Sequence, residues 1–436
     1  MVIPNMKETA SSKKQKSNQS TVDRLAQNLL KLVEMFRKGG PASDSKWWGG
    51  ETPHTVYAAY PDYQRGHKLF DGVVEDVLKL NPDMLSKSEV GWKLTYQFLE
   101  QQVIRPDQPS EQELMNKAKD CLIELVEFKA WLEVDFPIVN LLLEQEPVKL
   151  GHVTFVATTR EDIERWQKDY TACQKRIADI HVIARVNAPG DLEKALPYAR
   201  IQVQRALDVL RILCFPFYPF TDTCSIGVIG EIAFARSTPI RINQSRFATH
   251  IGGAFGYRQP EVRELISKGL EQSQLELITN LLLKAEDSRS NMENKLLDGI
   301  HWLAESTKPD TNRARFAKIS FALETLIGGE PKDEELKVRG ITAMLAERAA
   351  FIAGKGLDDR LAIDRDIRGY YRMRSAIVHG GKTDILLSHI DDFGISVRRI
   401  AFALLEKLDE LGDNLSTVDK LQSWVRTQRY TLHNQS

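Results

Sequence analysis

From Pro260 to the C-terminus the chain carries one kind of periodicity. Apolar residues recur at helical spacing, and the strand signals found upstream stop. The pattern predicts helices at Val262–Lys284, Met292–Ala304, Asn312–Ile327, Lys337–Ala353, Arg360–His379, Leu386–Leu411 and Thr417–Thr427. Asp310-Thr311-Asn312 supplies a start, because short polar side chains accept from the free N–H groups of a first turn. Gly328-Gly329 supplies a stop.

Upstream the pattern is mixed. Residues 1–20 are rich in Ser, Lys, Gln and Asn and are expected to be disordered. A helix capped by Ser20 or Thr21 should run through Leu25, Leu29, Leu32, Val33 and Phe36 to Gly39-Gly40. Pro41 to Pro61, with Trp47-Trp48, reads as an irregular connection whose tryptophans serve core packing before partner binding. Helical spacing returns at Leu69–Leu78, at Trp92–Leu99 and from Leu114 through Trp131. Val148–Thr158 and Ile180–Val186 are β-rich, with a helix through Tyr170 and Cys173 between them. Glu193–Leu213 is a helix, Phe215–Tyr218 an aromatic loop, and Ser225–Ile242 a hairpin or two short strands. The expected fold class is α+β overall and mainly α. Its parts are a tail with one amphipathic helix (1–46), an α+β sensor or partner-binding region (47–260) and an all-α region (261–436).

Of the 436 residues, 42% are hydrophobic and 27% charged, with a formal net charge of −1. Such a chain has no global attraction for nucleic acid, so any contact needs a local basic patch. Four scattered cysteines without a CxxC pair fit reduced, mostly buried thiols and a cytoplasmic setting. No histidine makes a ligand-spaced cluster with them, so neither metal nor other cofactor is expected. The start of the chain lacks the apolar core of a signal peptide, and no apolar run is long enough to span a bilayer.

The stretch with chemical content is Tyr370-Tyr-Arg-Met-Arg-Ser-Ala-Ile-Val-His-Gly-Gly381. As a helix, Arg360–His379 places Ile363, Ile367, Tyr370, Arg374 and Ile377 on one stripe. Arg374 takes a place the pattern would give to leucine. An unpaired charge in a helix seam costs about 3–5 kcal/mol, so Arg374 either meets a carboxylate or lines a wet cleft. His379 lies about 140° further around an ideal helix. The two glycines after it would let the last turn unwind and re-aim the imidazole. Arginines 360, 365, 368, 372 and 374 outnumber aspartates 364 and 366, and tyrosines interleave them. The cluster could hold a phosphate backbone and a base, or it could be a solvated face with a buried ion pair and a C-capping histidine.

The segment Arg368-Gly-Tyr-Tyr-Arg-Met-Arg-Ser-Ala-Ile-Val-His-Gly-Gly resembles the HEPN superfamily, within it the Apea-like group. The family's hallmark is an Arg, a spacer of four to six residues and a His. A second match is Arg315-Phe-Ala-Lys-Ile-Ser-Phe-Ala-Leu-Glu324-Thr-Leu-Ile, similar to the family's helix with an Ala-Leu-Glu-x-Leu core. The resemblance covers roughly residues 285–415. It implies a C-terminal helical bundle that dimerises through its motif helices and joins two Arg374/His379 pairs in a composite site.

Active members are metal-independent endoribonucleases of antiphage defence or toxin systems, which cut by 2′-hydroxyl attack. On that reading His379 performs acid/base chemistry, and Arg374 stabilises the phosphorane. Ser375 and Glu324 support them, and Arg368, Tyr371 and Arg372 hold RNA. Ser375 stands where many active relatives carry Asn, Asp or His, although Arg-Ser is usual in the Apea-like group. Glu324 is expected to pair with Arg374, or else to orient the catalytic groups. The alternative class is a non-catalytic HEPN scaffold that binds a partner protein or a nucleotide. A third option takes DNA or a nucleotide as target. The N-terminal region would then meet a regulatory or trigger protein. Gly380-Gly381-Lys382-Thr383 is not a phosphate loop, since Ala376 occupies the place of its first glycine. His54, His67, His152, His181, His250, His301, His389 and His433 show no partner spacing that suggests a nucleophile or a metal.

Overall fold

Leu25, Leu29, Leu32 and Val33 fall on one helical face, and in the computed structural model all four are fully buried. They belong to α1 (Met6–Lys38). Their partners are Phe70, Val73 and Val77 of α2 (Tyr63–Leu80) and Leu114, Ala118 and Leu122 of α5 (Glu111–Val126). Between them run α3 (Lys87–Trp92), a π-helical turn Lys93–Leu99 and α4 (Glu100–Val103). The structure describes residues 6–38, 63–103, 109–144, 146–169, 180–215, 226–229, 238–243, 246–250, 260–308, 310–329, 334–379 and 384–433. Trp47-Trp48, the Gly39-Gly40 stop, Tyr170, Cys173 and Gly380-Gly381 lie outside these residues.

Two compact units emerge, residues 1–134 with 187–199, and residues 135–186 with 200–436. They differ from the boundaries expected at 46 and 260. The expected tail helix is a core element of the first unit, and the middle region is divided between the two. In place of disorder over residues 1–20, helix begins at Met6. Residues 6–20 contain no Gly or Pro, and extending a helix beyond an anchored segment costs little. Asp191 ties the stretch 187–199 to the first unit by accepting from both the backbone N–H and the hydroxyl of Ser86, each at 2.7 Å.

The helix expected through Trp131 ends at Val126, and Trp131 opens strand β1 (Trp131–Val139). Alternation decides it: Leu132, Val134, Phe136 and Ile138 form the more enclosed face. β2 (Val148–Leu150), β3 (Val153–Ala157), β4 (Val182–Pro189) and β5 (Gly227–Val228) complete a sheet of order β2-β3-β4-β1-β5. The β2–β3 turn uses Gly151 at φ 60°, where a Cβ would also stand 2.5 Å from Leu282 Cβ. α6 (Arg160–Asp169) and α7 (Leu192–Leu213) flank β4 in sequence. β6 (Thr238–Asn243) pairs with β7 (Arg246–His250) in a separate hairpin.

The remaining elements are helices: α8 (Val262–Gly269), α9 (Gln272–Leu283), α10 (Asn291–Glu305), α11 (Asn312–Ile327), α12 (Glu334–Ala353), α13 (Leu357–Val378), α14 (Leu387–Leu411) and α15 (Val418–His433). The single helix expected over Val262–Lys284 breaks at Leu270, whose backbone is extended. The chain is thus α+β and mainly α, with a helical C-terminal region. Thr311 caps α11 by accepting from Ala314 N–H at 3.3 Å, and Ser290 with Glu293 forms a capping box on α10. Phe316, Ile319 and Leu323 of α11 meet a core that includes Leu296, Ile300 and Leu303 of α10 and Phe393, Val397 and Ile400 of α14, all nearly or fully buried.

Arginines cap the carbonyl ends of neighbouring helices. Arg315 donates to Ser306 O (2.9 Å), Arg348 to Ile327 O (2.6 Å), Arg398 to Gly269 O (2.9 Å) and Arg399 to Ala353 O (3.0 Å). Each cation meets the negative end of a helix dipole and satisfies an orphan acceptor. Cys214 is buried, and desolvation pushes its thiol up to about 12. No helix among the described residues is long and apolar enough to cross a membrane.

α10 and α11 approach closely at Gly299, where a Cβ would lie 2.4 Å from Leu326 Cγ. Leu326 is fully buried. Overpacking of about 1–3 kcal/mol should therefore exceed the gain of about 1 kcal/mol in helix propensity. Gly299→Ala is expected to lower the thermal midpoint, and an unchanged or raised midpoint would show that the two helices can separate without cost.

Candidate active site

α13 is anchored by Ile367 and Tyr371, one turn apart and both buried. Tyr370 stacks on Phe393 of α14 with ring centroids 4.5 Å apart. This register carries Arg374 to the edge of the same face. Of the predicted stripe, Ile367 is enclosed, while Ile363, Tyr370, Arg374 and Ile377 are half-buried.

Glu324 reaches this edge from α11. Its Oε1 accepts from the Tyr371 hydroxyl at 3.1 Å and lies 3.3 Å from Arg374 Nη2. The Arg374–Glu324 pairing expected from the sequence is present. Burial, reinforced by the Glu324 charge and hydrogen bond, pushes the Tyr371 phenol far above its ordinary range. Tyr371 is therefore a fixed donor that orients Glu324. Its ring, predicted to hold RNA, is 4% exposed and has no open face for a base. The helical step from Ile367 assigns the core position to Tyr371 and leaves Tyr370 on its flank.

The two candidate phosphate ligands differ in commitment. Arg368 is held by Asp364 through two bonds of 2.7 and 3.0 Å. Among the described residues Arg374 has a single longer contact, its side chain is 30% exposed, and its buried Nε finds no hydrogen-bond partner. Arg374 is thus the cation with capacity for a further anion, while Arg368 is already neutralised within its own helix. Arg372 and Ser375 are exposed.

His379 is the C-cap of α13, and its backbone N–H donates to Ser375 O at 3.0 Å. Its imidazole is exposed. The helix remains regular through Val378, without the unwinding that the following glycines would allow. Arg374 and His379 of one chain leave the helix in directions about 140° apart.

A second constellation escaped the sequence reading because its partners are 93 residues apart. His301 Nδ1 of α10 lies 2.8 Å from Asp208 Oδ2 of α7. The other oxygen of Asp208 accepts from Arg211 and Gln204, each at 2.8 Å. Asp208 and Arg211 are 3% and 1% exposed, whereas His301 is 45% exposed. The Asp208 hydrogen bond, partly offset by desolvation, raises the His301 pKa above 6.5.

Comparison with protein-family models, curated proteins and solved structures returns no match for this chain.

Tyr371→Phe should cost about 1 kcal/mol, a hydrogen bond to a charged but part-exposed acceptor, read in chemical denaturation. A variant as stable as the parent would mean that Tyr371 does not hold Glu324. For His301 the folded pKa is the higher one. Its bond to Asp208 adds stability that is complete below pH 6.5 and fades as pH rises through the folded value. His301→Gln should remove that part of the pH dependence. An imidazole resonance titrating at or below pH 6.5 in the parent would contradict the assignment.

Proposed function

We propose that the C-terminal helical region is a HEPN-type endoribonuclease, acting as a homodimer in cytoplasmic antiphage defence or as a toxin. The carrying observation is Arg374, oriented by Glu324 yet part-exposed and singly contacted, on a helix that ends in an exposed His379. The divergence of these two side chains around one helix supports a site assembled from two copies.

In such a site one His379 takes the proton of the ribose 2′-hydroxyl. The 2′-oxygen forms a bond to phosphorus and the bond to the 5′-oxygen breaks. The second His379 protonates that leaving oxygen, which yields a 2′,3′-cyclic phosphate and a 5′-hydroxyl. Arg374 meets the charge that builds on the phosphorane. Exposed Arg372 supplies backbone attraction that the near-neutral chain lacks globally. The N-terminal unit would carry the contact with a regulatory or trigger protein.

A non-catalytic scaffold is the second reading, and the Arg374–Glu324 ion pair favours it. Activity separates the two. His379→Ala should lower RNA cleavage about 10²–10⁴-fold, and Arg374→Ala about 10²–10³-fold, with Arg374→Lys recovering little. Equal cleavage by parent and both variants, or none by the parent when its trigger is supplied, would favour the scaffold.

A further inference from the structure

Away from Arg374 and His379, α7 and α10 line an open cleft of about 420 Å³, within the range of small-molecule sites. Its lining is divided by chemistry. Ile201, Leu297 and Ile300 form an apolar wall, and Ile201 is 49% exposed there. Arg200, Arg205 and His301 supply cationic groups. Asp298 supplies a carboxylate acceptor.

The buried Asp208 decides which ligand this combination suits. Its oxygens are committed to Arg211, Gln204 and His301. It therefore acts as an anchor for the imidazole, and it is not a free carboxylate that would repel an anion or ligate a cation. With Nδ1 held by Asp208, His301 has Nε2 left to donate when protonated. Among the described residues Arg205 pairs with Glu286 at 3.5 Å, a carboxylate that is 77% exposed and easily displaced. Besides the committed Asp208, the lining sets three cationic groups, Arg200, Arg205 and the anchored imidazole, beside one carboxylate, Asp298.

We propose that this cleft binds a phosphate monoester carried on a hydroxylated, partly apolar body, the chemistry of a nucleoside monophosphate. The phosphate meets Arg200, Arg205 and His301, where charge-assisted hydrogen bonds are strongest. Asp298 accepts from ligand hydroxyls. Ile201, Leu297 and Ile300 cover the apolar portion. This assignment is independent of the nuclease reading, because no residue of one is used in the other.

Calorimetric titration of the full chain with AMP, inorganic phosphate and adenosine tests it. AMP should bind at least about tenfold more tightly than either fragment, since each fragment satisfies half of the site. Arg205→Gln and His301→Gln should each weaken AMP at least about tenfold. Thermal unfolding of each variant establishes that it is folded, and Arg205→Gln carries the test if His301→Gln is not. The proposal is overturned by absence of AMP binding to about 10 mM, a free energy near −3 kcal/mol. It is equally overturned by adenosine binding as tightly as AMP, or by parental AMP affinity in folded Arg205→Gln.

Discussion

One carboxylate oxygen joins the two helices on which the candidate site stands. Glu324 Oε1 takes the Tyr371 hydroxyl and faces Arg374, so α11 and α13 are fixed in register at the point where a cation reaches the surface. The pair is part-exposed on both sides, which keeps its net contribution to stability small. Its consequence is geometric. Tyr371 cannot release its proton in this setting and cannot turn out of the core, so Glu324 has one orientation and Arg374 inherits it. A guanidinium with a single long contact can exchange a share of that contact for a phosphate oxygen, which one gripped at both nitrogens cannot do as readily.

Arginine does structural work elsewhere in the same helical region, and this sharpens the contrast. Arg315 and Arg348 are almost wholly enclosed, and each donates to a carbonyl at the end of another helix. Such cations are held by helix ends and stay out of chemistry. Among the described residues Arg374 caps no helix end. Arg368, six residues earlier on the same helix, is neutralised by Asp364. Local charge counting treats all of these residues alike, and only the partners distinguish them.

The helical part of the fold was legible because its signals are local. Thr311 as a cap, Gly328-Gly329 as a stop and the apolar faces of α10, α11 and α14 follow from short-range spacing. The sequence was less informative where two periods compete. Trp131–Val139 alternates with period two, but its first residue follows a helical stretch closely enough to be read as the end of that helix. α8 ends at Gly269, and the extended backbone of Leu270 lets Glu271 begin the next helix, a break that a lone glycine in a helical pattern does not announce. At the site, the Glu324–Arg374 pair was anticipated from a polar residue on an apolar stripe. The burial of Tyr371 was not, because adjacent tyrosines at 370 and 371 differ by only 100° of helix and either could have taken the core. The His301–Asp208 pair has no sequence signature, since its partners meet only through the packing of α7 and α10.

The central claim is that Arg374 and His379 cut RNA through the ribose 2′-hydroxyl. End-group analysis of a short RNA, compared with the same strand carrying one 2′-deoxyribose at the cleaved position, tests it most directly. The account predicts 2′,3′-cyclic phosphate and 5′-hydroxyl ends from the first and an intact second strand at that position. Cleavage of the deoxy-substituted strand there, or 3′-hydroxyl ends from the all-ribose strand, would contradict it.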